Sequence, residues 1–350
     1  MNSPRKSGPT LKDIAQAASV SVAAVSKVLN NREGVGEATR LRILQTIDDL
    51  GYSGRAGREN VVGTATVLTL EQYVANDAFY GEILDAIQMT STSAGIEIGL
   101  AVHRSIDEIV QAIQSGTVEG PLLLMGVDHP DIVDAVIERA LPAVIVNGMD
   151  RTMRLTSVSP DYHFGAWVAT RHLLTLGHRH ILHVTHPYRE SIRRRIDGFR
   201  NALEEVGIPF DPKRHIVDLG SPENISLAAR DIVLERLMQG EQPTALFCMN
   251  DLVALGAMQA VQSMGLSVPG NISIVGFDGL PLGSYATPAL TSVQTDRASL
   301  GRIGVMLLAQ CMTQPSAPVQ RVTTGGDLLI RRSTAICHNE LSQTYVGTPT

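Results

Sequence analysis

The sequence predicts a small all-α helix-turn-helix head followed by an α/β body of two doubly wound lobes. Three observations lead there. The first 52 residues place apolar side chains at helical spacing, interrupted by short turns. From Val61 onward, short apolar runs alternate with amphipathic stretches, as parallel strands and their crossover helices do. At 350 residues the chain also exceeds what one compact core usually carries, so two or three domains are expected.

In the head, Thr10 opens a first helix as its cap, with Asp13 placed to favour the helix dipole. Leu11, Ile14, Ala15 and Ala18 share one face of that helix. Ser19-Val20 is long enough only for a tight turn. Ser21 caps a second helix from Val22 to about Leu29. Asn30-Asn31 and Gly34 end it, and Glu37 to Leu50 forms a third helix with Leu41, Ile43, Leu44, Ile47 and Leu50 as its apolar set. Val20, Val25 and Val28 would pin the second helix, leaving Val22, Ala23, Ser26 and Lys27 outward. Such short side chains let a helix sit deep in a major groove about 12 Å wide. Ser21 offers a hydroxyl and helix-terminal N–H groups to a phosphate.

Charge agrees with this division. The first 60 residues hold nine Lys/Arg against six Asp/Glu, about +3, within a chain of net charge -6. A basic head on an acidic body means that only the head meets a polyanion. No apolar run approaches the roughly 18–20 residues that span a bilayer, and no secretory signal is present, which places the chain in the cytoplasm with no membrane partner. Cys248, Cys311 and Cys337 are widely spaced and form no CxxC pair, as in a reducing compartment.

In the body, GTATVLTL, EIGLAV, PLLLM and PAVIVN read as buried parallel strands. HILHV, ALFCM and ISIVGF form a second series, with helices near 189–206, 223–239 and 250–264. A ligand would lie between the carboxyl ends of the two strand sets. Asp278, directly after ISIVGF, is placed to accept two hydroxyls or to face a base. Asn250 and Asp251 follow ALFCM, Asn250 as a cleft residue and Asp251 as a helix cap. Asn147 and Asp161 follow two further strand ends. Phe79 and Tyr80 either stack on a sugar ring or pack into the core. Trp167 reads as a packing residue. His178, His180, His183 and His186 lack the Cys or carboxylate partners of a metal site, Gly34-Val35-Gly36 lacks the strand of a dinucleotide site, and no GxSxG elbow occurs. No metal, cofactor or catalytic residue is therefore assigned.

The runs TLKDIAQAASVSVAAVSKVLNN and TRLRILQTIDDLGY resemble the N-terminal domain of LacI/GalR-family transcription repressors. The resemblance continues, in order, through LLTLGHRHILHV, RRRIDGFRNALEEVGI, ALFCMNDLVALGAMQAVQSMGLSVPGNISIVGFDG, ATPALTSVQTDRASLG and LLIRRST. It implies a DNA-binding repressor, not an enzyme, with a periplasmic-binding-protein-like core that binds sugar and dimerises. Val22, Ala23 and Lys27 would read bases, the first two through thymine methyls and Lys27 through guanine O6/N7. Ser21, Ser26 and Asn30 match phosphate contacts. Arg195, in RxxGF, matches a ligand-binding arginine, and Arg189 and Ser191 match contact positions of some members. A homodimer would read a near-palindromic operator.

The domains so implied are 1–52 for the head, 53–61 for a hinge or linker, 62–337 for ligand binding and dimerisation, and 338–350 for a polar tail. Within the core, the N-lobe would comprise 62–159 plus 291–322 and the C-lobe 160–290 plus 323–337. The hinge departs from the family pattern Tyr-x-Pro-Asn-x-x-Ala-Arg-x-Leu. Gly54 replaces the proline and Val61 the leucine, and Gly57 adds a helix cost of about 1 kcal/mol. Arg55 and Arg58 would still reach phosphates. A sugar-binding protein without a regulatory role is the competing reading, and the helix-turn-helix head opposes it.

Overall fold

The computed structural model describes residues 11–29, 34–49, 63–186, 189–220 and 224–337. The chain divides into two compact units, residues 1–61 and 62–350. Thr10, Asn30, Leu50 and the 53–61 linker, with Arg55 and Arg58, lie outside the described residues, as does the 338–350 tail.

The head contains α1 (Leu11–Ala17), α2 (Val22–Leu29) and α3 (Glu37–Asp49). Ile14, Ala18, Val25, Val28 and Ile43 form its buried centre, with Val20 and Ile47 packed against it. The turn between α1 and α2 closes through the Val20 N–H donating to the Ala15 carbonyl at 2.9 Å, with Ser19 in the left-handed region at φ 54°. The apolar set expected on α3 is only partly inward. Leu41 and Leu44 are 64% and 47% exposed. A helix in so small a bundle buries one narrow stripe, and Ile43 and Ile47 occupy it.

The body holds two six-stranded sheets. The first is built from β1 (Gly63–Leu70), β2 (Ile96–His103), β3 (Leu122–Met125), β4 (Ala143–Val146) and β5 (Thr156–Pro160), with α4 (Glu71–Val74), α5 (Asp77–Ala94), α6 (Ile106–Gln114) and α7 (Pro130–Glu138) between them. The second is built from β6 (Ile181–Thr185), β7 (Ile216–Asp218), β8 (Ala245–Cys248), β9 (Ser273–Asp278) and β10 (Thr291–Gln294). Its helices are α8 (Tyr162–Thr175), α9 (Glu190–Glu204), α10 (Pro212–His215), α11 (Ile225–Met238), α12 (Asp251–Ser263) and α13 (Leu282–Tyr285). Then α14 (Arg297–Thr313) and β11 (Arg321–Thr324) return to the first lobe, and β12 (Leu328–Leu329) ends in the second.

Strand orders are β11-β5-β4-β3-β1-β2 and β12-β10-β9-β8-β6-β7. Every pairing is parallel except β10 with β12. Central strands are buried on both faces, because crossover helices cover each sheet twice. That is why LLLM, AVIV and ALFC are wholly apolar or nearly so.

The lobe boundaries differ from those expected. Residues 291–294 pair with β9, Thr291 opposite Val275, so they belong to the second lobe and the chain crosses after Gln294. Thr323 and Thr324 pair with Ser159 and Pro160, so the last crossing comes after 324. Pairing with a neighbouring strand decides membership, and these hydroxyl-rich strands carry little apolar signal to show it. The glycine of RxxGF has a steric reason. A Cβ on Gly198 would run into the His163 carbonyl oxygen, so only glycine lets α9 close on α8. No described helix is long and apolar enough to cross a membrane.

Candidate nucleic-acid interface and interlobe cleft

α2 presents a surface of small residues. Ser21 precedes it, and the Ser21 hydroxyl accepts the Ala24 N–H at 3.2 Å, capping the helix. Val22 is 41% exposed, Ala23 and Lys27 also face solvent, and Val25 and Val28 are buried. The side chain of Ser26 lies outside the described residues.

In the body, a cleft of about 670 Å³ opens where strands of both lobes end. Leu70, Asp128 and Asp150 line it from the first lobe, and Arg189, Glu190 and Arg193, at the start of α9, from the second. Deeper, a polar relay joins the lobes. The Tyr162 hydroxyl, from α8, donates to Asn147 Oδ1 at 2.8 Å, and Asn147 Nδ2 donates to the Tyr80 hydroxyl, from α5, at 3.2 Å. Burial pushes the Tyr80 phenol up to about 12 and that of Tyr162 higher still, so both stay protonated. Asn147 adopts φ 59°, a left-handed conformation that asparagine tolerates, as its side chain reaches both tyrosines.

Two arginines converge behind this relay. Arg189 Nη2 donates to the Asn147 carbonyl at 3.3 Å, Nε lies 3.6 Å from Asp128 Oδ1, and the guanidinium sits 5.3 Å from the Tyr73 ring centre. Burial disfavours its charge, but Tyr73 and Asp128 hold its pKa well above the usual range. Arg195 Nη1 donates to the Met249 carbonyl at 2.9 Å, and Nη2 lies 3.6 Å from Asp278 Oδ1. Its guanidinium stacks 4.1 Å from the Phe277 ring centre. Burial lowers its pKa, against the pull of Asp278. The Nε atoms of both arginines are buried without an acceptor among the described residues.

Asp278 closes β9 at φ 103°, a strained backbone for any residue with a side chain. Burial pushes its carboxyl up to about 6, with Arg195 and Arg297 opposing. Arg297, at the start of α14, ties the lobes a second time. Its Nη1 donates to the Asp278 carbonyl at 2.7 Å and its Nε to Glu82 Oε2 on α5 at 2.8 Å.

Of the residues singled out in the sequence, Tyr80, Asn147, Arg189, Arg195 and Asp278 converge. The others are used elsewhere. Phe79 packs in the first-lobe core, edge-on to Tyr80. Asp161 caps α8 by accepting the Phe164 N–H at 3.0 Å. Ser191 is buried in the first turn of α9. Asn250 takes the cap expected of Asp251, and Asp251 goes into the core. Asn250 Oδ1 accepts the Val253 N–H at 2.8 Å and caps α12, because its extended backbone turns the side chain back on the helix. Asp251 is inside the helix and fully buried, accepting the Leu280 N–H at 2.6 Å and the Ser292 hydroxyl. Tyr73, Asp128, Tyr162 and Arg297 were not singled out. Tyr162 had a signal, the second residue past a strand end, but Arg297 sits in a helix whose partner is distant in sequence. His183 stacks 4.4 Å from Phe247 and bonds to its carbonyl, and burial pulls its pKa down to about 3. Trp167 donates to Glu205 at 2.9 Å.

Residues 10–54 match the bacterial regulatory proteins of the lacI family, and residues 170–334 match the periplasmic binding protein-like domain. The transcriptional repressor PurR of Proteus mirabilis is 30% identical over 335 residues, which cover 93% of this chain and 97% of that protein. The chain belongs to the LacI family. It is a DNA-binding transcriptional regulator, in a family of regulators and not of enzymes. The ribose operon repressor of Haemophilus influenzae is similar at 27% identity, over 93% of this chain and 98% of that one. Among solved structures, the regulator CelR in complex with cellobiose is similar with a TM-score of 0.69 and 26% identity, covering 93% of this chain and 99% of that one. The lac repressor dimer bound to operator and an anti-inducer is similar with a TM-score of 0.68 and 26% identity, covering 94% and 100%.

Proposed function

We propose that this LacI-family chain represses transcription as a cytoplasmic homodimer, reading a near-palindromic operator through α2 and releasing or engaging it when a hydroxyl-rich effector occupies the interlobe cleft. Val22, Ala23 and Lys27 serve as base-reading residues, and Ser21 as a phosphate contact. Ser26, Asn30, Arg55 and Arg58 are assigned phosphate contacts from the sequence alone. In the cleft, Asp278 accepts ligand hydroxyls while Arg195, Arg189 and Asn147 donate to ligand oxygens, with Tyr80 beside them. The observation that carries the reading is the meeting of Arg195, Asp278, Arg189 and Asn147 where two parallel sheets end, on side chains from both lobes. A ligand held by both lobes favours one interlobe geometry, and differential binding is all that coupling to DNA requires. The complexes of CelR with cellobiose and of the lac repressor with operator support the same reading.

The test is an electrophoretic shift titration on the DNA upstream of the chain's own gene, with a sugar panel added. A shifted band whose midpoint moves with one sugar, and no longer moves in Asp278→Asn, is the expected result. A midpoint that moves equally in Asp278→Asn removes the cleft from the control of DNA binding.

A further inference from the structure

We propose that Asp251 and Ser292 are positioning residues for the cleft: without touching a ligand, they hold the turn after β9 so that the Asp278 carboxylate is presented to ligand hydroxyls. This rests on Asp278 being the effector acceptor. Asp251 lies in the first turn of α12 and is fully buried. Its Oδ2 accepts the Leu280 N–H at 2.6 Å, and its Oδ1 accepts the Ser292 hydroxyl. The Ser292 oxygen in turn accepts the Gly279 N–H at 3.1 Å. One carboxylate and one hydroxyl thus bind the two amides that follow Asp278.

Those amides belong to the turn that aims Asp278. Asp278 and Gly279 both take left-handed backbone, at φ 103° and φ 65°. A residue with a side chain keeps such a conformation only where its surroundings over-determine it. The Asp278 carbonyl is held from the other side, accepting from Arg297 Nη1 at 2.7 Å and from the Thr295 N–H at 3.3 Å. The turn is fixed on both sides, while the Asp278 carboxylate is left to face Arg195.

The packing around Asp251 is made for a carboxylate. Ser292 on β10 stands opposite Gly276 on β9, and a Cβ on Gly276 would collide with Asp251 Oδ1. Glycine there leaves the carboxylate room to reach across β9 to β10. Keeping the acid is costly: burial, and then the nearby Asp278 charge, push its carboxyl up to about 7. α12 is already capped by Asn250, so the helix does not account for that cost. The turn after Asp278 does.

The experiment follows the Asp278 carboxyl itself, by carbon NMR titration of the full chain, its signal assigned by its loss in Asp278→Asn. The charges that face it are Arg195 and Arg297, with Asp251 behind the turn. Asp251→Asn and Asp251→Ala remove the same charge, but only asparagine keeps an oxygen for the Leu280 N–H. The Asp278 midpoint is expected at least about one pH unit lower in Asp251→Ala than in Asp251→Asn, because the freed turn lets the carboxylate reach water. Ser292→Ala, which changes no charge, is expected to lower it in the same sense from the wild-type value near 6. Equal midpoints in the two Asp251 variants, or a wild-type midpoint in Ser292→Ala, overturn the proposal, and the second decides alone if Asp251→Ala does not fold. Operator-shift titrations with ribose, cellobiose and glucose keep this apart from the effector reading. A sugar that moves the band in wild type is expected to be needed at about ten times the concentration or more in Asp251→Ala. If a sugar moves the band equally in wild type and Asp278→Asn, the effector reading is refuted and the hold on the turn is judged by the midpoints. If the band responds through Asp278 while the midpoints are equal, the positioning is refuted and the effector site stands.

Discussion

The head and the cleft solve opposite problems. On α2, outward and inward residues are separate sets: Val22, Ala23 and Lys27 face water while Val25 and Val28 fill the core. In the cleft, groups placed to meet a ligand are already engaged, as Arg189 is across the lobes with the Asn147 carbonyl and Asp128. Arg195 is buried, stacked on Phe277 and paired with Asp278. Reading a polyanion from outside needs a surface, so it costs the fold little. Enclosing a small ligand needs buried charges, which stay stable only when partnered.

The largest expected effect is at the cleft. Arg195→Ala leaves the buried Asp278 with only the Arg297 charge near it, and should destabilise the body by about 3–5 kcal/mol, read from denaturant unfolding. A loss under 1 kcal/mol would mean that cleft charges are as dispensable as head charges. Next, Ile43→Ala removes one of the few fully buried residues of the head. It should cost about 2–4 kcal/mol and lower a separate head transition in calorimetry, leaving the body transition in place. Lys27→Ala should cost about 1–3 kcal/mol of operator affinity, relax preference at one base pair, and leave stability within about 0.5 kcal/mol. Equal loss on unrelated DNA would show that Lys27 meets only phosphate.

Acidity distinguishes the two regions next. Asp278, raised to about 6 by burial, accepts ligand hydroxyls on both oxygens, and as a charged acceptor, only when ionised. Effector affinity should hold above that pH and fall as pH drops through it, approaching tenfold per unit, while operator affinity of the ligand-free chain shows no such break. The stability term has the opposite sense. Between the ordinary 3.8 and about 6, the folded chain binds a proton that the unfolded chain has released, so this contribution declines as pH rises. The smallest effect is Tyr162→Phe, which removes one interlobe hydrogen bond. About 0.5–1.5 kcal/mol of stability should be lost, with effector affinity changed through the open–closed balance.

Much of this was legible in the chain. β1 occupies the run GTATVLTL, and α9, α11 and α12 fall within the stretches read as helices, because burial on both sheet faces demands unbroken apolar runs and exposed helices demand period 3.6. β10 was not legible, and of β5 only the end before Asp161 was. Ser157, Ser159, Thr291 and Ser292 look polar, yet all four are buried. Two of them are satisfied by groups far along the chain, Ser292 by Asp251 and Thr291 by Arg331 and Thr334. The capping by Asn250 and the burial of Asp251 have the same origin. Both are good caps, and only the position of β9 and β10 beneath α12 decides which one turns inward.

The sequence by itself determined the order of elements, the separation of head from body, the outward face of α2 and the strand-end positions of Asn147 and Asp278, since each follows from local periodicity. Tertiary structure alone decided that Tyr80, Asn147 and Tyr162 form one relay and that Arg297 bridges Glu82 and Asp278. Those partners lie up to 215 residues apart. Hydrogen bonding over such separations is fixed by how sheets and helices stack, which no local pattern encodes.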